Sequence, residues 1–153
     1  MTAYFLDSSA VVKRYVRETG SDFVDMLTDA DGGNIILLAA ITQVEVAAAI
    51  SRKLRNRNTT EAEAENALSA FRHDLINRYL TVDITSDLLD FATSLAVKHA
   101  LRGYDAVQLA AAIISNTERI ASDLSSLTVV SADHELNEAA SVEGLSIDNP
   151  NDR

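Results

Sequence analysis

Asp7, Glu45, Asp105 and Asp133 are the residues through which this chain can do chemistry. Asp7 ends the run Ala3-Tyr4-Phe5-Leu6, and Asp133 follows Val129-Val130-Ser131-Ala132. Glu45 comes just after the apolar run 35–40, in the first turn of an expected helix, and Asp105 opens a very apolar helix. In a parallel sheet the strand ends and the starts of the following helices share one edge, where ligands bind. The four acids can therefore meet. Carboxylates ~4 Å apart repel by on the order of 4 kcal/mol per pair at an effective dielectric near 20, and without a cation some would take up protons. An all-oxygen donor set suits Mg2+ or Mn2+. Such an ion polarises a phosphoryl oxygen and acidifies a bound water. Phosphodiester hydrolysis needs those two features and no side-chain nucleophile.

Each acid also has a purely structural use. Glu45 completes a capping box with Thr42, Asp105 complements a helix N-terminus, and Asp133 serves as an N-cap. Asp7 has no obvious helix of its own to cap. Ser8, Ser131 and Asn137 lie beside these acids and can orient carboxylates or hold water, or act as ordinary caps and turns. His73, His99 and His134 show no metal-ligand spacing and are expected at the surface. There is no glycine-rich phosphate loop and no G-x-S-x-G elbow.

The elements that must place these residues follow from periodicity. Strands are expected at 3–7, 35–40, 79–84, 127–131 and 145–147. The helices between them run at 9–17, from Ser21-Asp22 as a cap to 30, 42–55, from a second capping box at Thr60-Glu63 through Ile76, from Thr85 through Ala96, 105–114, and 134–142 ending at Gly144. Strands alternating with helices indicate an α/β domain with a parallel sheet covered on both faces. One domain spans 1–148, and 149–153 is a C-terminal tail.

Composition narrows the function. There is no cysteine, which excludes disulfides, thiolate metal sites and a cysteine nucleophile. The longest apolar run, Ile35 to Ile41, is too short for a bilayer, and a cytoplasmic location is expected. The net charge of −10 argues against nucleic-acid binding, although two Mg2+ would bring it to −6. Seven of the thirteen basic residues fall in two clusters, Lys13, Arg14, Arg17 and Arg52, Lys53, Arg55, Arg57. Arg52, two turns after Glu45 on the same helix face, can contact phosphate, as can Lys13 and Arg14.

The segments Tyr4-Phe5-Leu6-Asp7-Ser8-Ser9-Ala10, Thr42-Gln43-Val44-Glu45-Val46, Leu101-Arg102-Gly103-Tyr104-Asp105-Ala106-Val107-Gln108-Leu109-Ala110 and Val129-Val130-Ser131-Ala132-Asp133, in this order, resemble the PIN-domain ribonucleases, and within them the VapC-type toxins. The resemblance covers nearly the whole chain. It implies a five-stranded parallel sheet and a Mg2+- or Mn2+-dependent endoribonuclease using acids equivalent to Asp7, Glu45, Asp105 and Asp133. It further implies Ser131 beside the last acid, a homodimer, and inhibition by a cognate antitoxin protein. Three rivals stand beside a toxin nuclease: a PIN nuclease of RNA processing, a non-catalytic protein-binding module, and a phosphoacceptor switch domain. The last needs a late lysine, and none follows Lys98.

Overall fold

The computed structural model describes residues 1–153. Its strands are β1 (Ala3–Leu6), β2 (Ile35–Ala39), β3 (Leu80–Val82), β4 (Thr128–Val130) and β5 (Ser146–Asp148). The helices are α1 (Ser8–Tyr15), α2 (Ser21–Leu27), α3 (Thr42–Arg55), α4 (Glu61–Asn77), α5 (Ser86–His99), α6 (Gly103–Ala121) and α7 (His134–Val142). The strands form one parallel sheet in the order β3-β2-β1-β4-β5. At its centre Phe5 pairs with Leu37 on one side and Val129 on the other.

The apolar strands are sandwiched between two cores, as a parallel sheet requires. Alternate residues serve each face. Ala3, Phe5, Leu37, Ala39 and Val129 pack with α5, α6 and α7, while Leu6, Ile36, Leu38 and Val130 pack with α1 to α4. α6 is buried between the sheet and α5 largely through small side chains, Ala106, Ala110, Ala111 and Ala112, with Leu109. Small side chains let that helix lie close to the strands.

Successive strands step from β1 out to β2 and β3 on one side, then return to β4 and β5 on the other. The helices linking β1 to β3 cover one face, and those linking β3 to β5 cover the opposite face. The order therefore reverses between β1 and β4, and a crevice opens beyond their carboxyl ends. Asp7 and Asp133 stand there.

Several local expectations are corrected. Asp7 is the N-cap of α1, its side chain accepting from the Ala10 amide, so it does have a helix to cap. Thr42 and Glu45 do not form a capping box. α3 starts with Ile41 at its N-cap, and the Thr42 hydroxyl accepts from Gln108 instead. The α2 N-cap is Gly20, in a left-handed conformation (φ 88°), where Ser21 was expected. There a Cβ would meet the Pro150 carbonyl oxygen at 2.5 Å. Residues 149–153, set apart as a tail in the sequence, include a 3-10 turn at Pro150–Asp152 whose Pro150 is buried. α6 runs to Ala121, well beyond 114, because its polar last turns ride on the surface while Ser115 stays buried. Thr60 caps α4, its hydroxyl accepting from the Glu63 amide, but the reciprocal half of the box does not form, since the Glu63 carboxylate accepts from the Thr60 hydroxyl and not from its amide; the Thr85 cap forms as expected. No helix is long and apolar enough to cross a membrane.

Candidate active site

Asp7, Glu45, Asp105 and Asp133 line one cavity of about 240 Å³, together with Ser8, Ser9, Arg102 and Tyr104. Four separate helix starts deliver the four acids. Asp7 and Asp133 are N-caps, of α1 and α7, each accepting from the amide three residues on. Glu45 and Asp105 lie in the first turns of α3 and α6. A carboxylate at a helix N-terminus gains from unpaired amides and from the helix dipole. Capping and convergence are thus the same placement, so the structural use of an acid here does not compete with a chemical one.

Asp7 is the deepest of the four, at 3% exposure. Its Oδ1 accepts from Ser9 Oγ at 2.7 Å and its Oδ2 from Ser131 Oγ at 2.7 Å. These serines are themselves held. The Ala132 amide donates to Ser9 Oγ at 2.9 Å, and the Asp133 amide donates to Ser131 Oγ at 3.0 Å. Burial pushes the Asp7 carboxyl up to about 6; the bonds from Ser9, Ser131 and Ala10 pull it back, and the neighbouring Asp133 charge adds to the rise. Asp105 is also raised, by burial first and by Asp133 second, against the opposing pull of Arg102.

Glu45 is oriented from two sides. Ser8 Oγ donates to its Oε2 at 3.1 Å, and Gln108 Nε2 donates to its Oε1 at 2.8 Å and to Thr42 Oγ1 at 2.9 Å. Arg102, its side chain 74% exposed, bridges two acids: Nε donates to Asp105 at 3.0 Å and Nη2 to Asp133 at 2.9 Å.

The donor set fits a hard divalent cation. It offers carboxylate and hydroxyl oxygens and neither sulfur nor imidazole, and two of its carboxyls are raised by crowding and burial, which an added positive charge would relieve. Arg102 already supplies one such charge. In this arrangement no three of the acids are grouped closely enough to hold one ion.

The remaining expected residues divide. Ser8 and Ser131 bond to the acids directly. Asn137 is buried one layer behind, its Nδ2 donating to the Ser131 carbonyl at 2.8 Å while its Oδ1 has no partner. Arg52 is exposed at the end of an adjoining groove. Lys13 is not available to a ligand: it is 4% exposed, and its Nζ bonds Glu18 at 3.0 Å and the Thr19 carbonyl at 2.8 Å. Arg14 pairs with Asp25 and lines a different cavity. His73 and His134 are exposed as expected. His99 is not, because its ring is tucked beside Glu143, Nε2 to Oε1 at 3.6 Å.

Four residues escaped the sequence reading: Ser9, Gln108, Arg102 and Tyr104. Gln108 lies one turn after Asp105 on the same helix, and Arg102 one turn before it, so helical spacing from Asp105 was a usable signal for both. Ser9 gave no signal, since its role depends on the Ala132 amide 123 residues away.

No protein-family model matches the chain. Ribonuclease VapC45 of Mycobacterium tuberculosis (strain CDC 1551 / Oshkosh) is 36% identical over 113 residues, 74% of this chain and 76% of that protein. Among solved structures, VapBC2 from Rickettsia felis, bound to a DNA fragment from its promoter, superposes with a TM-score of 0.62 at 14% identity, over 97% of this chain and 98% of that one. VapC20 of Mycobacterium tuberculosis, a sarcin-ricin loop cleaving toxin, gives 0.61 at 16% identity, over 93% and 95%. The structural likeness establishes the fold, and identity of this level over three quarters of both sequences establishes kinship: the chain belongs to the VapC ribonuclease family.

Proposed function

We propose that this protein is a metal-dependent endoribonuclease acting as the toxin of a toxin–antitoxin pair, with Asp7, Glu45, Asp105 and Asp133 as its metal-holding residues. The observation that carries the reading is one cavity, at the β1/β4 switch point, lined by four carboxylates from four different helix starts.

Mg2+ or Mn2+ bound there supplies polarisation of a phosphoryl oxygen and acidification of a coordinated water. The chain's own residues do the positioning. Ser9 and Ser131 lock both Asp7 oxygens, so that carboxylate meets a ligand without rotating. Ser8 and Gln108 do the same for Glu45. Such preorganisation means that little rearrangement is needed when charge develops in the transition state. Arg102 must leave at least one of its two acids for both to face a metal, and its exposed guanidinium is then free to meet a phosphate.

On this reading the working protein is cytoplasmic, alongside its RNA substrate. The VapBC2 complex supports a cognate antitoxin as the inhibitory partner. The test is cleavage of a mixed RNA pool by purified protein with Mg2+, with Mn2+ and with EDTA, beside Asp7→Asn. Metal-dependent cleavage lost in the variant is the expected result; equal cleavage by Asp7→Asn would overturn the assignment. Growth arrest on induced expression, relieved by the cognate antitoxin, tests the toxin role separately.

A further inference from the structure

A second cavity, of about 680 Å³, opens off the acidic one, and the two share Ser8, Ser9, Glu45 and Tyr104. It is a groove between α1 and α3. Its floor is apolar, formed by Val12, Ile41, Val44, Ala48 and Ala49, and Arg52 closes its far end. Residues 44, 45, 48, 49 and 52 lie on one face of α3, so the groove follows the helix axis. From Glu45 to Arg52 is about 10 Å at 1.5 Å per residue, roughly the length of three stacked nucleotides at 3.4 Å each.

Two features of the groove have no partner within the chain. Tyr104, at the junction with the acidic cavity, is 63% exposed, and its hydroxyl makes no hydrogen bond. Arg52 forms no ion pair, and neither do Arg55 and Arg57 just beyond it, whereas Lys13, Arg14 and Arg17 in the other basic cluster all bind acids. The cations left free in these clusters are thus gathered at the groove end furthest from the carboxylates. A chain of net charge −10 has little general attraction for a polyanion. It needs a local device, and a ring beside an apolar floor is one: bases of any sequence stack on aromatic faces, but only where the strand is unpaired.

We infer that this groove is the track for about three nucleotides of single-stranded RNA next to the scissile phosphate. Tyr104 stacks the base nearest the cut, and Arg52 holds a phosphate further along. This rests on the nuclease reading above. Double-stranded RNA would be a poorer substrate, because a paired base must first be unstacked to reach the ring.

The experiment uses short single-stranded RNAs carrying 2-aminopurine beside the cleavage position. Bound to the Asp7→Asn protein, which holds RNA without cutting it, the probe is quenched by stacking. Introducing Tyr104→Ala removes the quenching and Tyr104→Phe restores it. In otherwise wild-type protein, Tyr104→Ala raises KM roughly tenfold to hundredfold, with kcat changed much less. Arg52→Gln makes the slope of log affinity against log salt shallower by about 0.7, the loss of one phosphate contact on a single strand. If wild-type protein cleaves RNA while Tyr104→Ala leaves both KM and quenching unchanged, the inference is overturned and the nuclease reading stands. If wild-type protein cleaves nothing with either metal, the nuclease reading falls, and absence of quenching then removes the groove as well. If the variants cleave normally but escape the antitoxin, the groove belongs to a protein partner and the inference is wrong.

Discussion

Replacing Asp7 with asparagine should make the metal-free protein more stable at neutral pH, although the same change is expected to abolish cleavage. Asp7 is buried, and its carboxyl is raised from 3.8 to about 6 in the fold. Between those values the folded state holds a proton that the unfolded chain releases. Stability therefore falls as pH rises through this window, and the full cost of the buried charge is present above about pH 6. A difference of about two pKa units corresponds to on the order of 3 kcal/mol. Asparagine carries no charge, caps a helix as well as aspartate, and fills nearly the same space. It keeps one acceptor for Ser9 and the Ala10 amide and presents a donor to Ser131. Rearranging that contact costs about 1 kcal/mol. The net expectation is a gain of about 1–3 kcal/mol at pH 7 in EDTA, shrinking toward zero or reversing as pH falls to 4. Urea unfolding of both proteins from pH 4 to 8 measures this directly. Added Mg2+ should restore the advantage to the wild type, which binds it more tightly in the folded state. A stability difference that does not change with pH, or a wild type already more stable at pH 7 in EDTA, would refute the reasoning.

Arg102→Gln should lower the Mg2+ concentration giving half-maximal binding or cleavage, because the ion no longer competes with the guanidinium for Asp105 and Asp133; an unchanged or higher requirement in a metal titration counts against this. Gln108→Leu should cut cleavage at least tenfold and cost about 1–3 kcal/mol of stability, since the buried Thr42 hydroxyl and Glu45 both lose the same donor. Restoring activity with Gln108→Glu would show that the amide is not needed as a donor. Gly20→Ala should destabilise the fold by at least about 1–2 kcal/mol, from the left-handed backbone alone, and more from contact with the Pro150 carbonyl; urea unfolding that matches wild type would show that the turn at 150–152 simply moves.

The parallel sheet was legible because its strands are almost uninterrupted apolar runs. Ile35 to Ala39 could hardly be anything else, and alternation of Leu37 with Leu38 across the two cores shows why both faces had to be greasy. Asp7 and Asp133 were legible for the same reason, as acids that end buried strands. Asp105 was harder to place, because the strand that would have announced it does not exist; α5 leads into α6 through Leu101. What could not be read was which polar groups hold which. Thr42 looked like a cap because sequence shows only neighbours three residues apart, while its actual partner, Gln108, comes from another helix 66 residues later. Lys13 looked like a phosphate contact because a basic cluster reveals charge but not that Glu18 and the Thr19 carbonyl have already claimed it.

The methyl-lined face of α6 acts as a shim. Asp105 has no strand to fix its height above the sheet, so its distance from Asp7 is set by how thick the layer beneath α6 is. The buried contacts of α6 with the sheet and with α5 include Ala106, Ala110, Ala111 and Ala112, the smallest side chains with a Cβ, beside the larger Leu109. Enlarging any of them should shift α6 against its neighbours and move its acid, without touching a single residue of the cavity. Relatives that differ only in these alanines would hold the same four acids at different spacings, so the choice of ion and the rate of cleavage can drift through the volume of the core while the residues that do the chemistry stay the same.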